Sequence, residues 1–249
     1  MSLPPKPDIS NTALFLDIDG TLVEYAAHPD AVIIAPELPG ILRDLNQKLE
    51  GAVAFVTGRN LAMVDRLFGQ IGLAAAGTFG IERMHGDALE SGHEAAKTVA
   101  PVFADLEKRF SQVRGVYFEY KGPVLAIHTR AAPEALPAVI AVCRQTLPRL
   151  PSGYCLVEGH AGAEFLPEGA TKSAAIAWFM ERPPFRGRIP VFLGDDTSDE
   201  TGFEWTNQKG GISVRIGPDR PTHARHKLAT VTEVHDWLKQ LALSSSHPA

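Results

Sequence analysis

Short, unbroken apolar runs punctuate this chain, and between them apolar residues recur at helical spacing. The runs at 13–16 (Ala13, Leu14, Phe15, Leu16), 52–56, 74–76 and 189–193 have the length and the flanking turn residues of strands buried on both faces. Leu38, Ile41, Leu42, Leu45 and Leu49 mark an amphipathic helix over 36–49, and the same spacing predicts helices over 61–68, 171–180, 199–208 and 231–241. With a further strand over 211–216, these segments alternate in the order of a doubly wound, mostly parallel sheet of the Rossmann-like α/β class. The middle of the chain breaks that rhythm. It reads as helix 94–110, strands 115–119 and 124–129, helix 133–147, and strands 153–157 and 163–166. A helix–two strands–helix–two strands module inside an alternating pattern predicts an inserted α+β cap over 88–166, with the core built from 1–87 and 167–249. The ends, 1–10 and 243–249, read as loose.

The candidate chemistry sits where two of these runs stop. The first leads into Asp17-Ile18-Asp19-Gly20-Thr21, and the run at 189–193 leads into Gly194-Asp195-Asp196-Thr197-Ser198-Asp199-Glu200. Carboxylates at a strand's C-terminal edge are costly unless a cation joins them. If both strands belong to one parallel sheet, both acidic tips lie on the edge where open α/β sheets bind ligands. Hard oxygen donors with no Cys or His beside them favour Mg²⁺ over Zn²⁺. Strand alternation also predicts that Asp17 and Asp19 project the same way. Thr57, after the second run, has two readings: a ligand for a phosphoryl oxygen, or the cap of the helix that follows.

Composition narrows the field. The chain has 249 residues, 45% hydrophobic, with a net charge of −5, which argues against nucleic acid as a partner. No apolar run approaches roughly 18 residues, so no membrane span is expected. The polar, Pro-rich N-terminal segment lacks an apolar signal region, which predicts a cytoplasmic protein. Cys143 and Cys155 are too few for a disulfide scaffold and read as buried thiols.

Taken in order, Asp17-Ile18-Asp19-Gly20-Thr21-Leu22, Val56-Thr57-Gly58-Arg59, Lys172 and Gly194-Asp195-Asp196 resemble the motifs of the haloacid dehalogenase superfamily. Val191 to Glu200, His28-Pro29-Asp30, Gly80-Ile81-Glu82-Arg83, Glu119-Tyr120-Lys121-Gly122 and His128-Thr129-Arg130 sharpen the resemblance to the trehalose-6-phosphate phosphatases within it. The likeness runs from about Leu14 to Leu238. It implies a Mg²⁺-dependent phosphatase that hydrolyses trehalose 6-phosphate to trehalose and phosphate through an aspartyl-phosphate. Trehalose-phosphate synthase would be its neighbour in the pathway.

The resemblance also distributes roles. Asp17 is the expected nucleophile and Asp19 the acid–base, with Thr57 and Lys172 completing the catalytic set. The metal falls to Asp17, the Asp19 carbonyl and Asp195, with Asp196 or Asp199 completing or orienting its shell. Gly20, Thr21, Gly58, Arg59 and Glu82 are expected to bind substrate. Glu119, Lys121 and Glu164 would contact the sugar, with Arg130 and His128 as further candidates. Gly80 lies near the expected cleft, Arg83 enters by adjacency alone, and His28 reads as structural. Phe79, Thr129, His160 and Ser173 depart from the family pattern and bear on sugar preference. A related sugar phosphatase, acting on sucrose 6-phosphate or a glycosyl phosphoglycerate, and a non-catalytic sugar-phosphate sensor remain open alternatives.

Overall fold

The computed structural model describes residues 1–26, 31–86, 88–91, 95–159 and 161–244. The chain divides into two compact units, Met1–Glu90 with Thr171–Ala249, and Ser91–Ala170.

The first unit is built on an eight-stranded sheet. Its parallel strands are β1 (Thr12–Leu16), β2 (Val53–Val56), β3 (Ala74–Gly77), β10 (Ile189–Gly194), β11 (Ile212–Ile216) and β12 (His226–Leu228). They lie in the spatial order β12-β11-β10-β1-β2-β3, and β4 (Glu82–His85) and β5 (Ala88–Ser91) extend the sheet beyond β3. Every residue of β1 and β2 is buried, as expected of central parallel strands covered on both faces. From β1 the chain winds outward through β2 and β3. It returns at β10 on the other side of β1 and winds outward again. β1 and β10 therefore flank a topological switch point, where such sheets open a crevice at their carboxyl ends.

Helices α1 (Leu38–Lys48), α2 (Leu61–Phe68), α5 (Lys172–Met180), α6 (Glu200–Gln208) and α7 (Val231–Ala242) complete this unit. An aromatic cluster ties α5 to the central strand. Phe15 of β1 stacks on Phe185 with centroids 5.5 Å apart, and Phe179 of α5 lies 5.0 Å from Phe185 and 6.1 Å from Phe15. All three rings are fully buried. This packing sets where the first residue of α5, Lys172, stands relative to the end of β1.

The second unit has a four-stranded antiparallel sheet in the order β6 (Tyr117–Lys121), β7 (Val124–His128), β9 (Gly162–Pro167), β8 (Tyr154–Gly159). Helices α3 (Ala95–Phe110) and α4 (Leu136–Thr146) supply Val99, Phe103, Leu106, Val139 and Cys143 to its separate core. Leu125, Ile127 and Phe165 face that core. The alternate residues Glu119 and Glu164 fall on the other side of the sheet by strand periodicity.

Several expectations need correction. Strands β4, β5 and β12 carry no apolar pattern: β4 is Glu-Arg-Met-His, every residue of β5 is exposed, and β12 is three residues long. Sheet margins need little burial, so hydrophobic periodicity does not mark them. The N-terminal segment is not loose: Lys227 N donates to Ser2 O at 3.0 Å beside β12, and Ile9 is buried. The helix expected over 133–147 has an α-helical centre only, with 3₁₀ turns at Pro133–Ala135 and Leu147–Arg149. Cys143 is buried, but Cys155 is only half-buried. Glu94, expected to open the third helix, lies outside the described residues, as do His28, Pro29, Asp30 and His160.

Removing the Phe15 ring leaves a cavity at the junction of β1 and α5. Phe15→Ala is expected to cost about 3–5 kcal/mol in urea denaturation, with the urea m-value unchanged.

Candidate active site

Because β1, β2 and β10 run parallel, the residues that follow them share one edge of the sheet. Asp17 follows β1, Thr57 follows β2 and Asp195 follows β10. Asp17 N donates to Leu193 O at 3.0 Å, which ties the first acidic tip to the second strand. Lys172 reaches this edge from the N-terminus of α5, a helix capped by Thr171, whose Oγ1 accepts from Ala174 N.

One buried ammonium joins two of the carboxylates. Lys172 Nζ lies 2.7 Å from Asp17 Oδ1 and 2.6 Å from Asp199 Oδ1, and all three side chains are at most 5% exposed. Asp199 Oδ2 accepts from the amides of Asp195 (3.0 Å) and Asp196 (2.8 Å). Asp199 therefore shapes the loop that presents Asp195. A Cβ at Gly194 would fall 2.3 Å from the Asp199 carboxyl carbon, so this packing requires glycine there.

Asp17, Asp195 and Asp199 each bring an oxygen within 4.8 Å of the others. Asp195 Oδ1 is buried and has no hydrogen-bond partner among the described residues. Three carboxylates against one ammonium, with a bare oxygen among them, fit a hard divalent cation. The titration behaviour agrees. Burial pushes the Asp17 carboxyl well above the usual range; Lys172 opposes this, and the charges of Asp199 and Asp195 reinforce it. Burial, then the charge of Asp199, pushes Asp195 up to about 7. Burial acts to lower the Lys172 pKa, but Asp17 and Asp199 outweigh it and hold the ammonium charged.

Asp19 engages a different cation from Asp17. Arg59 Nε and Nη2 both donate to its carboxylate at 2.6 Å, a two-pronged pair with Arg59 buried. Strand alternation stops at Leu16, so the expectation drawn from it does not carry through residues 17–19. Thr57 is buried, and its Oγ1 accepts from Arg59 N at 3.1 Å. Asn60, whose Oδ1 accepts from Met63 N, caps α2 in its place. Thr21 is buried and its hydroxyl lies 3.5 Å from Asp17 Oδ2. Asp196 is drawn elsewhere: its Oδ1 accepts from Thr197 N and lies 3.7 Å from Arg220 Nη1.

The turn after β3 braces the Thr57–Gly58–Arg59 loop. Thr78 (φ 49°), Phe79 (φ 56°) and Gly80 (φ 90°) are consecutive left-handed residues. For a β-branched threonine this conformation is strained and must be held by its surroundings. Thr78 N donates to Arg59 O and Phe79 N to Thr57 O. The Phe79 ring fills the space a Cβ would take at Gly58. Glu82, expected to bind substrate, accepts through Oε2 from Leu61 N at 2.8 Å and Thr78 Oγ1 at 3.1 Å. Arg83 Nε donates to Gly80 O at 2.7 Å.

In the second unit, Lys121 Nζ lies 3.3 Å from Glu119 Oε2 and 3.7 Å from Glu164 Oε1. His128 Nε2 lies 2.9 Å from Glu119 Oε2. Burial acts to raise the Glu119 carboxyl, but the His128 hydrogen bond and the Lys121 charge bring it down to about 2. Arg130 is exposed on the turn after β7. Thr129 is buried there, and Ser173 Oγ lies 2.9 Å from Thr171 Oγ1 at the start of α5.

Two further residues at the site carry little local sequence signal. Tyr25 OH donates to Asp195 Oδ2 at 3.0 Å, and Arg220 Nη2 donates to Asp195 O at 2.6 Å. Nothing local marks Arg220 except a Pro-Asp-Arg-Pro loop. Tyr25 is marked only by a half-exposed aromatic soon after the first acidic motif.

The family model described as trehalose-phosphatase matches residues 15–232. The chain belongs to the trehalose-phosphatase family. A probable trehalose-phosphate phosphatase of Sinorhizobium fredii is 40% identical over 216 residues, which cover 86% of this chain and 81% of that protein. The trehalose-6-phosphate phosphatase of Escherichia coli K12 is 35% identical over 241 residues, covering 96% and 90%. The fold agrees. The C-terminal domain of Candida albicans trehalose-6-phosphate phosphatase superposes with a TM-score of 0.80 at 19% identity, covering 97% of this chain and 98% of that one. A haloacid dehalogenase-like hydrolase from Bacteroides thetaiotaomicron superposes at 0.67 with 13% identity, covering 93% and 99%. As a member of the trehalose-phosphatase family the chain is a phosphatase, a phosphoric monoester hydrolase, on a haloacid dehalogenase-like fold. Among the described residues, no helix is long and apolar enough to cross a membrane.

Asp195 yields a pH prediction. Its folded pKa of about 7 lies above the ordinary 3.8, so between these values the folded chain holds a proton that the unfolded chain has released. Stability without a divalent cation therefore falls as pH rises through this window. In EDTA the Tm is expected to be lower at about pH 8 than at about pH 5, and Asp195→Asn should flatten the slope.

Proposed function

We propose that this chain is a Mg²⁺-dependent trehalose-6-phosphate phosphatase that works through an aspartyl-phosphate on Asp17. The observation that carries the reading is the buried Asp17–Lys172–Asp199 array beside the bare oxygen of Asp195. The family relationship supplies the substrate. Final-step trehalose synthesis in the cytoplasm, with trehalose-phosphate synthase supplying the substrate, completes the proposal.

Asp17 Oδ2 is the oxygen left for attack, because Oδ1 is held by Lys172 at 2.7 Å. Attack on phosphorus forms the Asp17 O–P bond and breaks the bond from phosphorus to the sugar oxygen. Asp19 gives its proton to that departing oxygen and then takes one from the water, whose oxygen bonds to phosphorus as the Asp17 O–P bond breaks, releasing phosphate and returning the Asp17 carboxylate. Arg59 donates to both oxygens of Asp19 in this structure, so Asp19 carries the proton only once one of those bonds opens toward the departing oxygen. Lys172 offsets the charge that builds on the transferring group. Gly20, Thr21, Gly58 and Thr57 line the phosphoryl end.

Asp17, the Asp19 carbonyl and Asp195 would hold Mg²⁺, with Asp199 orienting the Asp195 loop. When bound, the ion supplies positive charge that keeps the clustered carboxylates ionised and shields the nucleophile from the phosphate. Hydroxyl recognition is assigned to Glu119, Lys121 and Glu164 of the second unit, whose mutual ion pairs pre-orient charged donors and acceptors. Glu82, assigned to the substrate site, also braces the Thr57–Arg59 loop, since its Oε2 accepts from Leu61 N and Thr78 Oγ1.

The direct test is phosphate release from a panel of sugar phosphates, with Mg²⁺ and with EDTA. Trehalose 6-phosphate is expected to be preferred over sucrose 6-phosphate and glycosyl phosphoglycerate, and EDTA to abolish release. About tenfold preference for another sugar phosphate would remove the substrate assignment, and full activity in EDTA would remove the metal.

A further inference from the structure

Asp195 is fixed on every side but one. Its amide donates to Asp199 Oδ2 at 3.0 Å, and its carbonyl accepts from Arg220 Nη2 at 2.6 Å. On the carboxylate itself, Oδ2 accepts from Tyr25 OH at 3.0 Å, while Oδ1 is buried without a hydrogen-bond partner among the described residues. Gly20 makes the arrangement possible. Its φ is 74°, and a Cβ there would fall 2.2 Å from Asp195 Oδ2 and 2.7 Å from the Tyr25 ring. The missing side chain is the space in which phenol and carboxylate meet.

We propose that Tyr25 is a positioning residue that sets cation selectivity, by occupying one oxygen of Asp195 so that only the other is offered to a divalent ion. The inference rests on the cation reading given above. A carboxylate held in this way serves as a one-oxygen ligand. Mg²⁺ is six-coordinate and is satisfied by single oxygens. Ca²⁺ takes six to eight ligands and often uses both oxygens of a carboxylate. To gain the second oxygen of Asp195, Ca²⁺ must break the bond from Tyr25. Arg220 and Asp199 hold the main chain on either side of Asp195, so the carboxylate cannot offer its second oxygen by rotating the loop without losing those bonds as well.

The test is calorimetric titration of the full chain with Mg²⁺ alone and with Ca²⁺ alone, in the absence of substrate, for the parent and for Tyr25→Phe. The variant keeps the ring and loses only the hydroxyl. Its Mg²⁺ affinity is expected to stay within about twofold or fall. Its Ca²⁺ affinity should rise, so that the Mg²⁺/Ca²⁺ preference drops by about fivefold or more. A preference unchanged within about twofold overturns the proposal, while Mg²⁺ binding by the parent leaves the metal reading intact. A parent that binds neither ion overturns both. The parent also gives a check that needs no variant. Near-ultraviolet circular dichroism should show a tyrosine change with Ca²⁺ that Mg²⁺ does not produce, and equal responses to the two ions contradict the proposal.

Discussion

A single buried ammonium holds this site together. Lys172 Nζ stands between Asp17 and Asp199 at 2.7 and 2.6 Å, with Asp195 beside them, in a region where all but Asp195 are closed to solvent. Removing either partner of such a pair leaves a buried charge uncompensated, which is far more costly than losing an exposed ion pair. The fold meets this constraint with packing. Phe15, Phe179 and Phe185 lock α5 to β1, so the residue that begins the helix and the residue that follows the strand keep their distance. One positive charge does not balance three negative ones. That imbalance, together with the bare Asp195 oxygen, is the feature on which the proposed divalent-ion site rests.

A second set of contacts governs direction rather than charge. Arg59 grips both oxygens of Asp19 and is itself held through its carbonyl by Thr78 N. The left-handed run at Thr78, Phe79 and Gly80 is strained, and Glu82 steadies it through Thr78 Oγ1 and Leu61 N. Strain kept beside the loop proposed to be catalytic, and held by several bonds, is a mark of pre-organisation.

The sequence made the sheet core and its acidic tips legible because each is a local pattern. Buried parallel strands read as apolar runs, and the carboxylates directly follow them. What stayed hidden depends on contacts between distant residues. Tyr25 meets Asp195 across 170 positions, and Arg59 meets Asp19 across 40. No periodicity announces which arginine will pair with which aspartate. Strands β4, β5 and β12 are illegible for a different reason: they lie at the sheet margins and bury little, so they carry no hydrophobic signature. Motif position alone also gives no sign that Glu82 Oε2 braces the turn through Leu61 N and Thr78 Oγ1.

The proposed chemistry requires Asp17 to become covalently phosphorylated. Acid quenching during turnover of trehalose 6-phosphate, followed by borohydride reduction and peptide mass spectrometry, tests this directly, because an acyl phosphate is reduced to the alcohol. Homoserine at position 17, absent when substrate is omitted, is the predicted result. Reduction at another carboxylate, or an unmodified Asp17 under conditions of full turnover, would contradict it.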